Sequence, residues 1–280
     1  MSTMTIEPLA PFGAEIKGVD IARADGKTLE RVVEVFHRSG AIVLRGQHAT
    51  PDQLVNFVSQ FGPPQVREDD PFRLPQQPAI SVLSNRVVNG RPLGAHNDGI
   101  GWHTDLSFKE RPAMCTMLYA VEVPPVGSDT LLADGVAAYA ALPADKREQI
   151  DGMQLHHSFV HFMETREFRR RETTDEDRRI NPDVVHPLVR THPADGRRAL
   201  WPSTGTVKEV IGMPGKPGFD LIDELVGFMT QEQFVYRHRW QAGDILVWDN
   251  RCSLHTGTLF DDQQYFRTMY RLWVVGERPQ

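Results

Sequence analysis

From residue 80 onward the chain is cut into short stretches with the two-residue period of β-strands, and this limits its fold more than any other feature. The stretches are Ile80–Ser84, Ala113–Val123, Asp129–Ala133, Met153–His161, Val184–Thr191, Ala199–Pro202, Phe234–Trp240, Asp244–Trp248 and Phe266–Val275. Phe234, Tyr236, His238 and Trp240 alternate with Val235, Arg237 and Arg239, the pattern of an antiparallel strand with one buried face. Many such strands at short spacing, with Gly and Asp between them, predict a barrel or sandwich. Helical periods at Val136–Leu142 and Phe219–Thr230 interrupt the strands.

The first part of the chain reads as α/β. Leu29, Val32, Val33 and Phe36 recur at helical spacing in Lys27–Arg38, and Gly40 follows where a C-terminal glycine belongs. Ala41-Ile42-Val43-Leu44 is a short buried strand. Thr50-Pro51 then opens a helix with Leu54, Phe57, Val58 and Phe61 on one face and Gly62 as its stop. No repeat or linker divides the chain, so one β-rich α+β domain over residues 1–280 is expected. Residues 62–79 and 85–101 read as loops suited to covering a site. Glu164 to Arg179, with six acidic and six basic residues, reads as a solvated helix or loop with local ion pairs, or as a lid.

Composition narrows the function. With 31 Lys+Arg against 37 Asp+Glu the net charge is −6, and no basic stripe is interleaved with aromatics, so nucleic acid is not an expected partner. No apolar run approaches the roughly 20 residues of a membrane-spanning helix, and Met1 to Pro11 lacks the pattern of a signal peptide. A cytoplasmic protein with no membrane partner is expected. Cys115 and Cys252 are the only cysteines, too few for a disulfide framework or a four-thiolate metal site.

Trp102-His103-Thr104-Asp105 sets an imidazole and a carboxylate two residues apart. On an extended chain they point the same way, with Cα atoms about 6.6 Å apart. Downstream, Trp248-Asp249-Asn250-Arg251-Cys252-Ser253-Leu254-His255 follows a strand and offers a second imidazole. Two His and one carboxylate form the facial triad of non-haem Fe(II) oxygenases, which leaves positions open for cosubstrate and O2. Among 11 histidines an H-x-D alone is a weak signal, equally at home as a cap or an ion pair. The C-terminal strand adds weight. Arg267, Met269, Arg271 and Trp273 share one of its faces, and the two arginines, about 13 Å apart at Cα, suit anionic groups.

WHTDLSF, the GSDT of Gly127–Thr130, HPLVRTHP (His186–Pro193), WDNRCSLH and the closing FRTMYRLWVVGERP resemble the TauD/TfdA family of Fe(II)/2-oxoglutarate dioxygenases. The resemblance runs in order over nearly the whole chain, including LRGQHATPDQLVNFVSQFG (Leu44–Gly62). It implies a double-stranded β-helix, or jelly-roll, core with N-terminal helices and helical insertions, and iron held by His103, Asp105 and His255. It also implies that Thr130 and Arg267 bind the distal carboxylate of 2-oxoglutarate. Arg271 lies beside the metal in the family, holding either an anionic substrate or the inner carboxylate of the cosubstrate. A carboxylate at Asp105 favours oxygen chemistry over halogenation. Dimers and tetramers are common in the family, so a homo-oligomer is expected.

The expected activity is hydroxylation of a small anionic substrate (carboxylate, amino-acid-like or sulfonate) with release of succinate and CO2. Relatives that take taurine carry a histidine after the early helix and an asparagine before W-H-T-D. Here those stretches read Gln65-Val66-Arg67 and Asp98-Gly99-Ile100-Gly101, so taurine itself is not indicated. Candidate substrate contacts are Arg271, Arg67, Asn85, His96, Asn97, Phe159, Phe162 and Trp201. Desaturation, cyclisation or isonitrile formation with the same cofactors is the alternative outcome. A non-catalytic jelly-roll binding module would not need the whole set of ligands and anchors.

Overall fold

The computed structural model describes residues 4–168 and 171–280. Its first helix, α1 (Gly26–Ser39), starts where the Asp25 carboxylate accepts from the Thr28 N–H at 2.8 Å. It ends at Gly40, whose φ of 70° is the left-handed stop that a side chain would strain. A capping box of Thr50 and Gln53 opens α2 (Pro51–Val58). This helix stops one turn short of the expected end, and Ser59–Gly62 continue in tighter turns. Phe61 still packs on the same side, with its ring centroid 5.5 Å from Phe57 and 5.1 Å from Phe36.

Eight strands build the centre: β1 (Ala41–Leu44), β2 (Gln77–Ser84), β3 (Ala113–Glu122), β4 (Thr130–Asp134), β5 (Val235–His238), β6 (Ile245–Asp249), β7 (Ser253–Gly257) and β8 (Thr268–Val275). Five of them run in one sheet in the order β1-β6-β3-β8-β2, all antiparallel to their neighbours. Thr5–Pro8 and Ala14–Lys17 extend its first edge and Arg73–Leu74 its last. The other three form the sheet β5-β4-β7, also antiparallel.

The two-residue period decides which layer each residue joins. On β6, Leu246 and Trp248 face inward with Leu118, Met269 and, from the smaller sheet, Leu132 and Tyr236. Ile245 and Val247 face outward and are covered by Val32, Phe36, Leu54 and Phe57 of the two helices. At β1 and β6 both faces of the large sheet are therefore covered, so these strands read as unbroken apolar runs rather than alternating ones. The smaller sheet is backed by α3 (Gly135–Ala141) and, beyond it, a second helix that packs Leu225 and Met229 near Leu254 and Ala133.

Four expectations need correction. Met153–His161 is not one strand: Gln154–His157 is extended, and then the Ser158 hydroxyl accepts from the His161 N–H and starts α4 (Phe159–Thr165). The apolar pairs Phe159-Val160 and Phe162-Met163 fit a helical period as well as a strand, and the serine cap decides it. Val184–Thr191 divides at Pro187-Leu188 into Val184–Pro187 and Val189–Thr191, which pair in different sheets. In the loop at 85–101, Val87–Val88 and Arg91–Pro92 form a small hairpin over Asn89-Gly90, both with positive φ as a type I′ turn requires. The predicted helix at Phe219–Thr230 begins earlier, as α5 (Lys216–Met229).

Of the charged stretch, Arg169 and Arg170 lie outside the described residues. Asp175–Ile180 is a short helix with a Thr174/Asp177 capping box and local pairs Arg178–Asp175 and Arg179–Glu176. Such exposed pairs contribute little to stability. No helix among the described residues is long and apolar enough to cross a membrane.

Candidate metal centre and its cavity

His103 and His255 meet as a cross-strand pair. The His103 N–H donates to the His255 carbonyl at 3.0 Å, and the His255 N–H returns a bond to the His103 carbonyl at 2.8 Å. This closed pair clamps the W-H-T-D loop onto β7 and brings the imidazole centroids to 4.1 Å. Asp105, two residues on, turns its carboxylate to both rings. Oδ1 lies 3.8 Å from His103 Nε2, and Oδ2 lies 3.6 Å from His255 Nε2. Donor atoms of all three residues fall within 4.8 Å of one another. Leu106, next in the chain, has a φ of 58°, a conformation that non-glycine residues seldom adopt and that here turns the backbone just past the carboxylate.

The surroundings orient these groups. His103 Nδ1 donates to the Gly101 carbonyl at 2.7 Å, which leaves the Nε2 lone pair directed at the centre. The Thr116 hydroxyl on β3 donates to Asp105 Oδ2 at 2.6 Å, and Thr116 is held in turn by the Asn250 amide at 2.8 Å. Burial and the neighbouring His103 push the His255 pKa down to about 3 despite Asp105, so the ring is neutral at physiological pH, the form that binds a metal. Burial alone would raise the Asp105 pKa, but His255, His103, Arg271 and the Thr116 bond hold it below the usual carboxylate value. The donor set, one carboxylate and two imidazoles aimed at one point, fits a divalent transition metal.

A cavity of about 500 Å³ opens over this centre. Arg67, Asn97, Phe159, Phe162 and Arg271 line it together with His103 and Asp105. Arg67 is also paired with Asp69 at 2.6 Å. A second cavity of about 40 Å³ adjoins it, sharing Asn97 and Asp98, and is lined by Asn85, His96 and Arg267. Arg267 has a shielded Nε with no hydrogen-bond partner, and no carboxylate pairs with it among the described residues. Burial and the proximity of Arg271 push its pKa down to about 10, which still leaves it charged near neutral pH.

Asn85 positions this arginine rather than facing a ligand. Its Oδ1 accepts from the Arg267 backbone N–H at 2.9 Å while its Nδ2 donates to the Tyr265 carbonyl at 2.9 Å. His96 Nε2 sits 3.0 Å from Asp262. Thr130 is buried on β4 beside Gly257, which lines the smaller cavity. Its hydroxyl accepts from Trp240 Nε1 at 3.1 Å, and since an indole only donates, the threonine keeps its own proton to give.

Trp201 is a correction. It lines neither cavity, is fully buried, and donates from Nε1 to the Asn250 carbonyl at 2.7 Å with His157 and His186 against its ring. An indole with its N–H satisfied in the core is packing, not a substrate contact. Sequence reasoning also passed over Asp98, quoted only as a departure from taurine-binding relatives. Its carboxylate bridges Arg166 and Arg271 inside the larger cavity. Thr116 carried no signal beyond its place on a strand.

A second set of donor groups, His192, Asp249 and Cys252, also converges. Here Arg251 takes the carboxylate by its fork, with Nε 2.8 Å from Oδ1 and Nη2 2.6 Å from Oδ2. The charge a metal would answer is already met.

Comparisons with known proteins place the chain in a family. The sequence model of the family described as "Taurine catabolism dioxygenase TauD, TfdA family" matches residues 5–273. The chain is similar to the alpha-ketoglutarate-dependent 2,4-dichlorophenoxyacetate dioxygenase of Cupriavidus pinatubonensis, 35% identical over 278 residues, covering 92% of this chain and 93% of that protein. It is also similar to pentalenolactone F synthase of Streptomyces arenae, 32% identical over 285 residues, covering 97% and 95%. In three dimensions it superposes on the crystal structure of AAD-2 in complex with Mn(II) and N-oxalylglycine with a TM-score of 0.84, at 28% identity and 99% coverage of both chains.

Proposed function

The chain belongs to the TauD/TfdA family and is a 2-oxoglutarate-dependent dioxygenase, and from that premise we propose that it uses Fe(II) and O2 to hydroxylate a small anionic substrate with an apolar body. His103, Asp105 and His255 hold the iron. Arg267, with the free proton of Thr130, grips the far carboxylate of 2-oxoglutarate. Arg271 receives the acid group of the substrate, and Phe108, Phe159 and Phe162 wall in its apolar part. When bound, the metal and 2-oxoglutarate supply the oxidising chemistry: the keto acid is split to succinate and CO2 as O2 is reduced, and one oxygen atom reaches the substrate. The protein's part is to fix ligand orientation, neutralise the carboxylates and keep bulk water out. We read the two facing sheets as a double-stranded β-helix and the whole chain as one domain.

The observation that carries this reading is the joint presence of three converging donors and a charged, shielded Arg267 without a carboxylate partner. A buried charge left unpaired is costly, and an incoming dicarboxylate offsets that cost. The choice of an anionic substrate is supported by Arg271 in the cavity and by the 2,4-dichlorophenoxyacetate named for one relative. The similarity to pentalenolactone F synthase favours a second reading in which the same centre serves secondary metabolism with another outcome. Anaerobic addition of Fe(II) and 2-oxoglutarate tests the main reading. A weak visible charge-transfer band should appear, and oxygen uptake should follow when air and small acids are admitted. A chain that binds neither component would refute it.

A further inference from the structure

Within the larger cavity, Asp98 gives one carboxylate oxygen to each of two arginines. Oδ1 accepts from Arg166 Nη2 at 2.7 Å and Oδ2 from Arg271 Nη2 at 3.0 Å. The three side chains are between 11% and 14% exposed, so these charges are little screened by water. The two grips are unequal in kind. Arg271 binds through Nη2 alone, while its adjacent Nε is buried with no partner, and its guanidinium lies over Trp273 with Cζ 4.3 Å from the ring centroid. Arg166 lies over Phe162 of the preceding helix at 4.6 Å.

We infer that Asp98 is a built-in competitor for the anion seat on Arg271, and that it sets the specificity of the site by yielding only to an acid group able to take both Nη2 and Nε. The inference rests on the reading of this cavity as the substrate site. An oxyanion with two coplanar oxygens binds a guanidinium by a fork, which is stronger than the single bond that Asp98 makes. The displaced carboxylate keeps its other partner, Arg166, so no charge is stranded in the cavity. Arg166 keeps its bond to Asp98 and its place over the Phe162 wall. A neutral molecule of the same shape has no means of displacing the carboxylate and is rejected at the seat, the repulsive half of specificity.

The test uses the Fe(II)- and 2-oxoglutarate-loaded protein without oxygen. Phenoxyacetate and its neutral amide are titrated by calorimetry into the wild type, Asp98→Asn and Arg166→Met. Asp98→Asn removes the competing charge with little change of shape, so phenoxyacetate should bind roughly tenfold tighter, about 1.4 kcal/mol, and the amide, no longer excluded, should gain at least as much. Arg166→Met removes one of the partners that share Asp98 with Arg271, and phenoxyacetate should bind more weakly than to the wild type. Acid binding to Asp98→Asn that is unchanged, weaker or undetectable would overturn the inference, as would an amide that the variant excludes as fully as the wild type does. The visible chelate band, recorded in the same samples, reports separately on the proposed cofactors. Its absence would strike the proposed function, while the titrations would still decide the role of Asp98.

Discussion

Two clusters of this protein each converge three groups able to hold a metal and use them differently. His103, Asp105 and His255 set a carboxylate between two imidazoles, while His192, Asp249 and Cys252 bring a carboxylate to one imidazole and a thiol. The difference is the guanidinium. Arg251 takes both oxygens of Asp249, and His192 Nε2 adds a contact at 3.0 Å, so every charge is answered within the chain. Burial would raise the Asp249 pKa, but the bonds from Arg251 and His192 hold it well below the usual range. Asp105 has no such fork. One of its oxygens is steadied by Thr116, and an imidazole nitrogen lies 3.8 Å from one oxygen and 3.6 Å from the other. Completed charge marks a structural cluster and uncompleted charge marks a site.

Mutation should separate the two most widely. His255→Ala is expected to abolish substrate-dependent succinate formation while leaving the metal-free melting temperature unchanged or raised. Turnover at the wild-type rate would remove His255 from the ligand set. Asp249→Ala should do the reverse to stability. Stranding Arg251 in the core costs about 3–5 kcal/mol, measured by denaturant unfolding whether or not metal is present. A variant as stable as the wild type would mean that the Arg251 fork holds nothing together.

The support around Asp105 gives a smaller effect. Thr116→Val keeps the shape and removes the bond to Oδ2, and metal affinity should fall by about 10–100-fold, as losses of outer contacts do, when followed by competition with a chelator. The smallest effect is in pH. Because the Asp249 pKa is lower in the folded chain than in the unfolded one, its stabilising effect is complete above roughly pH 4, the ordinary aspartate value, and is lost as the pH falls below it. The fall in melting temperature between pH 6 and pH 3 should therefore be shallower in Asp249→Asn than in the wild type. Equal falls would contradict the assigned pairing.

What was legible in the sequence follows the physics of each signal. β1 is read to the residue because a strand buried on both faces is an unbroken apolar run between polar turns. The parity of β8 put Arg271 on the face of Met269 and Trp273, and all three are buried. The H-x-D spacing was visible because i and i+2 share a side of an extended chain. The bridge that pairs His103 with His255 joins residues 152 positions apart; His255 stood out as a histidine after a strand, and the family pattern joined it to the first.

Asp98 and Arg166 are 68 residues apart, in stretches whose charges look solvated, and a pair across a cavity leaves no local pattern. Trp201 misled because an aromatic residue in an irregular segment reads the same whether it meets ligand or core. Asn85 misled more gently. It lies on the cavity wall, but its amide is spent on holding the backbone of Arg267.

The most direct measurement is a crystal structure grown with Mn(II) and N-oxalylglycine, with anomalous scattering used to locate the metal. One ion should lie between His103 Nε2, a carboxylate oxygen of Asp105 and His255 Nε2, with the far carboxylate of the inhibitor on Arg267 and no anomalous signal at His192 and Asp249. An ion beside Asp249, or an inhibitor whose acid group leaves Arg267 unpaired, would contradict the assignment.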